Sequence, residues 1–174
     1  MNSVFLQRLT RLSILLFFQV LVFNHIHLLG YITPLVLGYM IACFHRNSSR
    51  NSILLWAFSA GLLNDMFSNT AGMAAASCTL AAMMQPLLLG MFTPYNSAED
   101  LTPTFRTLGF WKYVTYITLL MFVLHMAYYA LDAFTLRDWP LTLLSIAGAT
   151  LLTTIIIVFI ELLVHPRKQG QVPN

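Results

Sequence analysis

The sequence predicts an all-α membrane protein, a single bundle of about six transmembrane helices with both termini in the cytoplasm. Of its 174 residues, 58% are hydrophobic and only 9% are charged. Soluble domains carry about a quarter charged residues, and so few charges cannot hydrate a protein surface. At about 20 residues for each span, the whole chain forms one polytopic domain with no soluble domain beside it.

Apolar stretches of span length divide the chain from end to end. We expect them to be helical, since lipid offers no partner for free backbone N–H and C=O groups. A membrane barrel does not fit, because its strands alternate apolar and polar residues and these stretches are apolar all round. The predicted spans are residues 5–23, 28–44, 53–68, 72–92, 113–134 and 141–163.

Loops that carry several basic residues alternate along the chain with loops that carry at most one. All nine Lys and Arg residues except Arg137 fall on one side of the bundle, in the N-terminal end, the loops 45–52 and 93–112, and the tail 164–174. Cytoplasmic loops carry the excess of Lys and Arg in membrane proteins, so this side is the cytoplasm. With one helix fewer or one helix more, the basic loops would fall on both sides of the membrane. The alternation therefore supports both the number of helices and the cytoplasmic position of the two termini.

Charge and loop length limit the partners that the chain can bind outside the lipid bilayer. The net charge of +3 does not predict nucleic-acid binding, because no basic stripe is present to neutralise phosphates. The cytoplasmic loop 93–112 has room for a partner, and its residues Pro94 and Pro103 resist a continuous helix. This loop is either a binding loop or a tether.

Asp65 lies inside the third predicted span, where an ionisable group is costly. Ala57, Gly61 and Asp65 are spaced by four residues and share one helix face. Because small residues let helices approach closely, we expect Asp65 to point into the bundle. It is either a proton or ligand site, or a structural carboxylate that accepts backbone N–H groups at the start of the next helix, near Thr70 and Gly72.

His125 lies in the fifth predicted span, at a depth comparable with that of Asp65. The two side chains could form a pair in which the carboxylate favours the charged imidazole. Alternatively, His125 is neutral and is bonded to a backbone carbonyl or a hydroxyl. His25 and His27 form an H-x-H pair in an outer turn, but spacing supplies no third ligand, so no metal or cofactor is predicted.

Other polar and small residues inside the spans predict contacts between helices. Gln19 is an amide within the first span, and we expect it to hydrogen-bond to another helix. Glu161, near the inner end of the last span, is expected to reach lipid headgroups or to pair with a nearby base. The segment 72–86 has small residues at four-residue spacing, which is typical of tight packing. It is either a central helix or an interface with another membrane protein.

No catalytic apparatus is recognisable in the sequence. It contains no nucleophile elbow, no phosphate-binding glycine loop and no pair of carboxylates at hydrolase spacing. Serines in the spans have no neighbouring base by sequence, so we do not expect an enzyme. The alternative of a small membrane enzyme predicts turnover that is lost in Asp65→Asn and His125→Ala.

Four stretches of the sequence resemble the MreD family of rod shape-determining proteins, in a form similar to that of Bacteroidetes. The most specific stretch is GLLNDMFSNTAGMAA at 61–75, which contains Gly61, Asp65 and Gly72. The others are QVLVFNH at 19–25, YITP at 31–34 and the residues 92–100 after the fourth span. With the membrane sequence between them, the resemblance covers nearly the whole chain.

The resemblance implies a small polytopic protein of the bacterial inner membrane that belongs to the cell-elongation machinery. Such proteins act in peptidoglycan synthesis and cell shape beside MreC, the actin-like MreB, RodA and a class B penicillin-binding protein. The implied role is that of a scaffold without a reaction, so the resemblance brings no catalytic residues. It marks Asp65 and Gly72 without saying what they bind.

The implied fold is similar to that of the substrate-binding subunits of energy-coupling-factor vitamin transporters, which is the basis of a second hypothesis. Those subunits typically dock on their transmembrane partner through alanine-rich positions in the first helix. Here the first span reads LSILLFFQVLVF and has neither alanine nor glycine, which favours the scaffold. The transporter hypothesis requires a ligand pocket under the outer turns, near Asp65 and His125.

Overall fold

The computed structural model describes residues 2–22, 33–70, 72–93, 101–132 and 139–164. Over these residues the chain forms seven α-helices and no strand, which confirms the all-α prediction. The helices are α1 (Asn2–Leu21), α2 (Gly38–Ala42), α3 (Arg50–Ser68), α4 (Met73–Phe92), α5 (Phe105–Leu108), α6 (Phe110–Asp132) and α7 (Trp139–Val164).

Three helices in the described part of the chain are long and apolar enough to cross a membrane. They are α4, α6 and α7, with mean hydropathies of 1.5, 1.7 and 2.5. This finding indicates a multi-pass membrane protein. Helix α3 has 19 residues but is less apolar, since it includes Arg50, Asn64 and Asp65. Helix α1 carries Arg8 and Arg11 in its first half.

The predicted second span, 28–44, is not a continuous helix. In its described part, 33–44, only Gly38–Ala42 is α-helical, and the chain enters it through turns whose amides bond to carbonyls three residues earlier. Pro34 has no N–H group to offer a helix. The helical prediction assumed that lipid surrounds this backbone, but residues 34–42 are buried inside protein. Irregular backbone at membrane depth is tolerated there if its polar groups find partners.

The predicted loop 93–112 is partly helical where it is described. The N-cap of the single turn α5 is Thr104, whose hydroxyl accepts the Thr107 amide N–H at 3.3 Å. Gly109 then adopts a left-handed φ of 81°, and α6 starts at Phe110 rather than three residues later. The Arg46 amide N–H donates to the Leu101 carbonyl at 3.1 Å and so joins the two loops of this end of the bundle.

Helix α4 lies at the centre of the bundle and packs against α3 on one side and α6 on the other. Its interior positions are small and buried: Ala74, Ala75, Cys78, Ala81 and Ala82. Small side chains let both neighbouring helices approach the α4 backbone closely. The segment 72–86 is therefore a central helix, which was one of its two interpretations.

Helix α7 presents a polar and small interior stripe and an apolar exterior. Buried positions recur every four residues, at Ser145, Ala149, Thr153, Ile157 and Glu161. Large apolar side chains cover the opposite face and are exposed: Leu144, Leu151, Ile155, Phe159 and Leu162. A helix on the surface of a soluble protein shows the reverse pattern. The distribution fits a helix whose outer face contacts lipid.

Candidate intramembrane polar site

The Asp65 carboxylate lies at the junction of α3 and α4. Its Oδ1 accepts the Ala74 amide N–H at 3.0 Å and the Thr70 hydroxyl at 2.5 Å, and its Oδ2 accepts the Ala75 amide N–H at 2.9 Å. The N-cap of α4 is Gly72, which has no side chain to bond these amides. Asp65 thus supplies from α3 the cap that α4 lacks.

The electrostatic environment of Asp65 explains why a carboxylate can lie there. Asp65 is only 3% exposed, so its charge receives little help from solvent. Three donors surround it, and the N-terminal end of α4 carries the positive end of the helix dipole. These contacts are those of the structural interpretation, in which Asp65 caps the next helix.

Gly61 brings the two helices close enough for this cap. A Cβ atom at Gly61 would lie 2.5 Å from both the Ala74 carbonyl oxygen and Ala75 Cα. Any larger residue would therefore push the α3 backbone away from the first turn of α4. Gly61 and Asp65 both lie against Ala74 and Ala75 of α4. Gly61 permits the close approach because it has no side chain, and the Asp65 carboxylate accepts the two amide N–H groups.

Gly72 and Asn69 reverse the chain between α3 and α4. Gly72 has a φ of 77° and Asn69 a φ of 53°, both in the left-handed region that Gly and Asn tolerate best. A Cβ atom at Gly72 would meet nothing within 4 Å, so its backbone conformation rather than its surroundings requires glycine. The Thr70 amide N–H donates to the Asp65 carbonyl at 3.1 Å and closes the end of α3.

Gln19 bonds to the irregular backbone that replaces the predicted second helix. Its Nε2 donates to the Pro34 carbonyl at 2.9 Å, and its Oε1 accepts the Val36 amide N–H at 2.8 Å. The side chain is fully buried. Gln19 therefore does not link two regular helices; it replaces the backbone partners that a helix would have supplied.

His125 bonds to the same stretch of backbone from α6. The Leu35 amide N–H donates to Nε2 of His125 at 3.4 Å, and the Thr153 hydroxyl lies 3.3 Å from the same nitrogen. Nδ1 of His125 lies 2.8 Å from the Met121 carbonyl oxygen, one turn back along α6. These are the contacts of a neutral imidazole, since one ring nitrogen accepts and the other donates.

Tyr129 completes a set of side chains that hold residues 33–36, which we call the backbone clamp. The Thr33 amide N–H donates to the Tyr129 hydroxyl at 3.0 Å. The clamp thus consists of Gln19 from α1 with His125 and Tyr129 from α6. Its role was missed in the sequence because its target, a non-helical segment, was expected to be a helix.

Asp65 and His125 do not form the pair that their similar depth allowed. The contacts of Asp65 are with Thr70 and the start of α4, and those of His125 are with α6, α7 and Leu35. None of these contacts joins the two side chains. The positive-charge interpretation of His125 therefore has no support in the geometry.

A second polar cluster, around Gln85 and Tyr116, was not identified from the sequence. Nε2 of Gln85 donates to the Phe44 carbonyl and to the Tyr116 hydroxyl, each at 3.3 Å, and the Tyr116 hydroxyl donates to the Ala42 carbonyl at 3.3 Å. Gln85 is an amide within an apolar span, which is the same sequence feature that identified Gln19. The cluster bonds the carbonyls at the end of α2.

Of the two expectations for Glu161, the contact with lipid headgroups was wrong. Glu161 is buried, at 1% exposure, and so does not extend to lipid headgroups. The Tyr39 hydroxyl donates to Oε2 of Glu161 at 2.6 Å. The inner stripe of α7 turns Glu161 toward α2, and sequence position alone does not reveal this rotation.

The described residues contain no group of three His, Cys, Asp or Glu side chains that could hold a metal ion. His25 and His27, the sequence candidates for a metal pair, lie outside the described residues. The geometry at Asp65 and at the backbone clamp favours a structural use of the polar groups, because each of them bonds to main-chain atoms.

No protein-family model, no curated protein and no solved structure matches this chain. The resemblance to the MreD family therefore depends on the sequence stretches themselves, above all 61–75. In the structure this stretch forms the α3–α4 junction, with Gly61 at the close approach, Asp65 at the cap and Gly72 at the turn. Its most specific residues are thus those that shape one helical hairpin.

Proposed function

We propose that the chain is a scaffold of the bacterial inner membrane that binds a membrane partner and catalyses no reaction. It has about six membrane segments with both termini in the cytoplasm, and it belongs to the cell-elongation machinery. The partner is an MreC-type protein, in assemblies that include MreB, RodA and a class B penicillin-binding protein. The resemblance to the MreD family supplies these names.

One observation carries the scaffold proposal: the buried polar side chains stabilise the chain's own backbone. Gln19, Asp65 and His125 each bond to main-chain groups, while the outward faces of the helices carry large apolar side chains. Such a bundle offers rigid apolar surfaces to its surroundings. Association in lipid depends on close packing of surfaces of this kind and on hydrogen bonds between helices.

The six-segment topology is part of this proposal. In this proposal the less apolar helices α1 and α3 cross the membrane together with the three apolar helices α4, α6 and α7, and the stretch 33–44, in which residues 34–42 are buried, is the remaining passage as a broken segment. Broken segments are compatible with a membrane interior when protein surrounds them. The basic residues support the orientation, because Arg46, Arg106 and Lys112 lie on the side that the positive-inside rule assigns to the cytoplasm.

The transporter alternative would need Asp65 and His125 to bind a small molecule. In the structure their polar atoms already bond to protein groups, which favours the scaffold. One measurement distinguishes the two hypotheses. Protein purified under mild conditions should contain no stoichiometric small molecule by mass spectrometry, and a retained vitamin-like compound would favour the transporter.

Photo-crosslinking in cells tests the scaffold directly. A photoreactive amino acid is placed at one exposed apolar position on each long helix, where it leaves the core intact. We expect crosslinks to an MreC-type protein from one or two helices and lipid adducts from the others. Absence of any protein adduct from all the positions would contradict the proposal. The positions are Phe17, Leu62, Leu87, Phe122 and Ile155.

Depletion of the protein tests its place in cell elongation. We expect depleted rod-shaped cells to become round, and we expect the same result from a variant whose crosslinking helix carries a bulky polar residue. Continued rod shape after complete depletion would rule out the role in elongation. The orientation is tested separately, with tags at both termini that protease should not reach from outside intact spheroplasts.

A further inference from the structure

A groove opens between the first half of α1 and the last turns of α7. Its volume is about 620 Å³, within the range of about 300–1,000 Å³ that is usual for small-molecule sites. We call it the α1–α7 groove. It is lined on α1 by Leu6, Gln7, Arg11 and Ile14, on α2 by Tyr39, and on α7 by Ile160.

The two ends of the α1–α7 groove differ in chemistry. Gln7, Thr10 and Arg11, beside the apolar Leu6, give the part nearer the N-terminus of α1 its polar and cationic groups. Ile14 and Leu15 follow along α1, so the groove becomes apolar in the direction of the bundle interior. A cationic entrance followed by an apolar channel is complementary to a molecule with an anionic head and a hydrocarbon tail.

Arg11 is the cation available to such a molecule. The neighbouring Arg8 is already engaged, since it donates to the Ser52 hydroxyl at 3.1 Å and its guanidinium lies 4.7 Å from the centre of the Phe44 ring. Arg11 is exposed, and within the described ranges it makes no hydrogen bond or ion pair with the protein. Its guanidinium can therefore form bidentate hydrogen bonds with a phosphate group.

The acidic group near the α1–α7 groove is shielded from it. Glu161 is buried, and the Tyr39 hydroxyl, which belongs to a residue lining the groove, donates to its carboxylate at 2.6 Å. The groove therefore offers the guanidinium of Arg11 more openly than the carboxylate of Glu161. The net charge at its entrance favours an anion.

We propose that the α1–α7 groove binds an anionic phospholipid, with its phosphodiester at Arg11 and one acyl chain along Ile14 and Ile160. The groove lies at the end of the bundle that the proposed orientation assigns to the cytoplasmic leaflet, which is rich in anionic lipids in general. Basic pockets between membrane helices on that side are typical lipid headgroup sites. This inference does not depend on the identity of any protein partner.

Native mass spectrometry of the full chain in mild detergent tests the lipid site. Palmitoyl-oleoyl phosphatidylglycerol and the matching phosphatidylcholine are added in equal amounts. We expect the wild type to retain the anionic lipid preferentially, and Arg11→Gln to bind it about fivefold more weakly, as expected for one basic side chain at an anionic surface. Equal retention of the two lipids by the wild type would overturn the proposal.

Arg50→Gln is the matched control for charge. Arg50 is exposed at the start of α3, and it does not line the groove. We expect Arg50→Gln to bind the anionic lipid as the wild type does. An equal loss in Arg50→Gln and Arg11→Gln would show a nonspecific charge effect and would overturn the site.

Filling the groove tests the acyl-chain position. Ile14→Trp places a large ring in the groove, whereas Ile155→Trp adds the same ring to an exposed position outside it. We expect only Ile14→Trp to lower retention of the anionic lipid, by a factor similar to that of Arg11→Gln. Unchanged retention in Ile14→Trp, or displacement of the lipid by millimolar glycerol phosphate, would rule out a lipid in this groove.

Discussion

The Leu35 amide N–H donates to Nε2 of His125 at 3.4 Å, across the interior of the bundle. A backbone amide can only donate, so Nε2 must be the accepting nitrogen of the imidazole. The proton of the neutral ring then lies on Nδ1, which donates to the Met121 carbonyl at 2.8 Å. One backbone contact thus sets the tautomer of a buried histidine.

This contact predicts the Nδ1–H tautomer for His125, which is the less common form of a free neutral histidine side chain. Protein labelled with ¹⁵N-histidine in detergent should show one slowly exchanging tautomer, assigned by its absence in His125→Gln. His45 lies half-buried in a loop and is the internal control, for which we expect averaging between tautomers. An Nε2–H signal for His125 would contradict the structure.

Gln19→Leu should destabilise the protein by about 1–3 kcal/mol, the cost of leaving buried polar groups without partners. Leucine is similar in size to glutamine, but it cannot bond to the Pro34 carbonyl or to the Val36 amide. The free energy of unfolding can be measured by titration with sodium dodecyl sulfate in mixed micelles. Gln7→Leu, at an exposed position of the same helix, should change it by less than about 0.5 kcal/mol. Equal effects of the two variants would argue against the backbone clamp.

Asp65→Ala should lower the free energy of unfolding by roughly 2–4 kcal/mol, and Asp65→Asn by about 1–2 kcal/mol. Alanine leaves two amides and a hydroxyl without their acceptor, whereas asparagine keeps one oxygen but loses the charge that favours the helix N-terminus. Asp132→Asn, on an exposed residue at the end of α6, is the control and should be nearly neutral. The free energy of unfolding should fall most in Asp65→Ala, less in Asp65→Asn and least in Asp132→Asn. An unchanged free energy of unfolding in Asp65→Ala would refute the capping role.

Gly61→Ala should destabilise the protein by about 1–3 kcal/mol, because the added methyl group meets backbone atoms of α4 at 2.5 Å. Backbone cannot rotate away as a side chain can, so the two helices must separate. Gly90→Ala is the matched control, since Gly90 lies within α4 and a Cβ atom there meets nothing within 4 Å. We expect that variant to gain up to about 1 kcal/mol from higher helix propensity. Thermal unfolding in detergent should show a lower midpoint temperature for Gly61→Ala than for the wild type, and an equal or higher one for Gly90→Ala.

Local features of the sequence predicted much of the α3–α4 hairpin. The four-residue spacing of Ala57, Gly61 and Asp65 indicated a face that packs closely, and the structure places this face against α4. The end of α4 was also predictable, at residue 92, because a helix ends where its apolar run ends. These features depend on residues that are near each other in the chain.

The second span shows why the remaining structure was not predictable. The run of apolar residues in 28–44 is equally compatible with a helix in lipid and with an irregular segment inside protein. The difference depends on Gln19, His125 and Tyr129, which supply the partners that the backbone requires. Those side chains come from two other helices, and no pattern within 28–44 reveals them.

The sequence by itself determined that this protein is helical and apolar outside, and that a few of its polar residues must find partners within the spans. Only the tertiary structure decided which partners they have: Asp65 bonds to the next helix, and Gln19 and His125 bond to a broken segment. The physical reason is that hydropathy and helical period are properties of neighbouring residues. A buried hydrogen bond depends instead on how separate helices are rotated and how deeply they lie against each other.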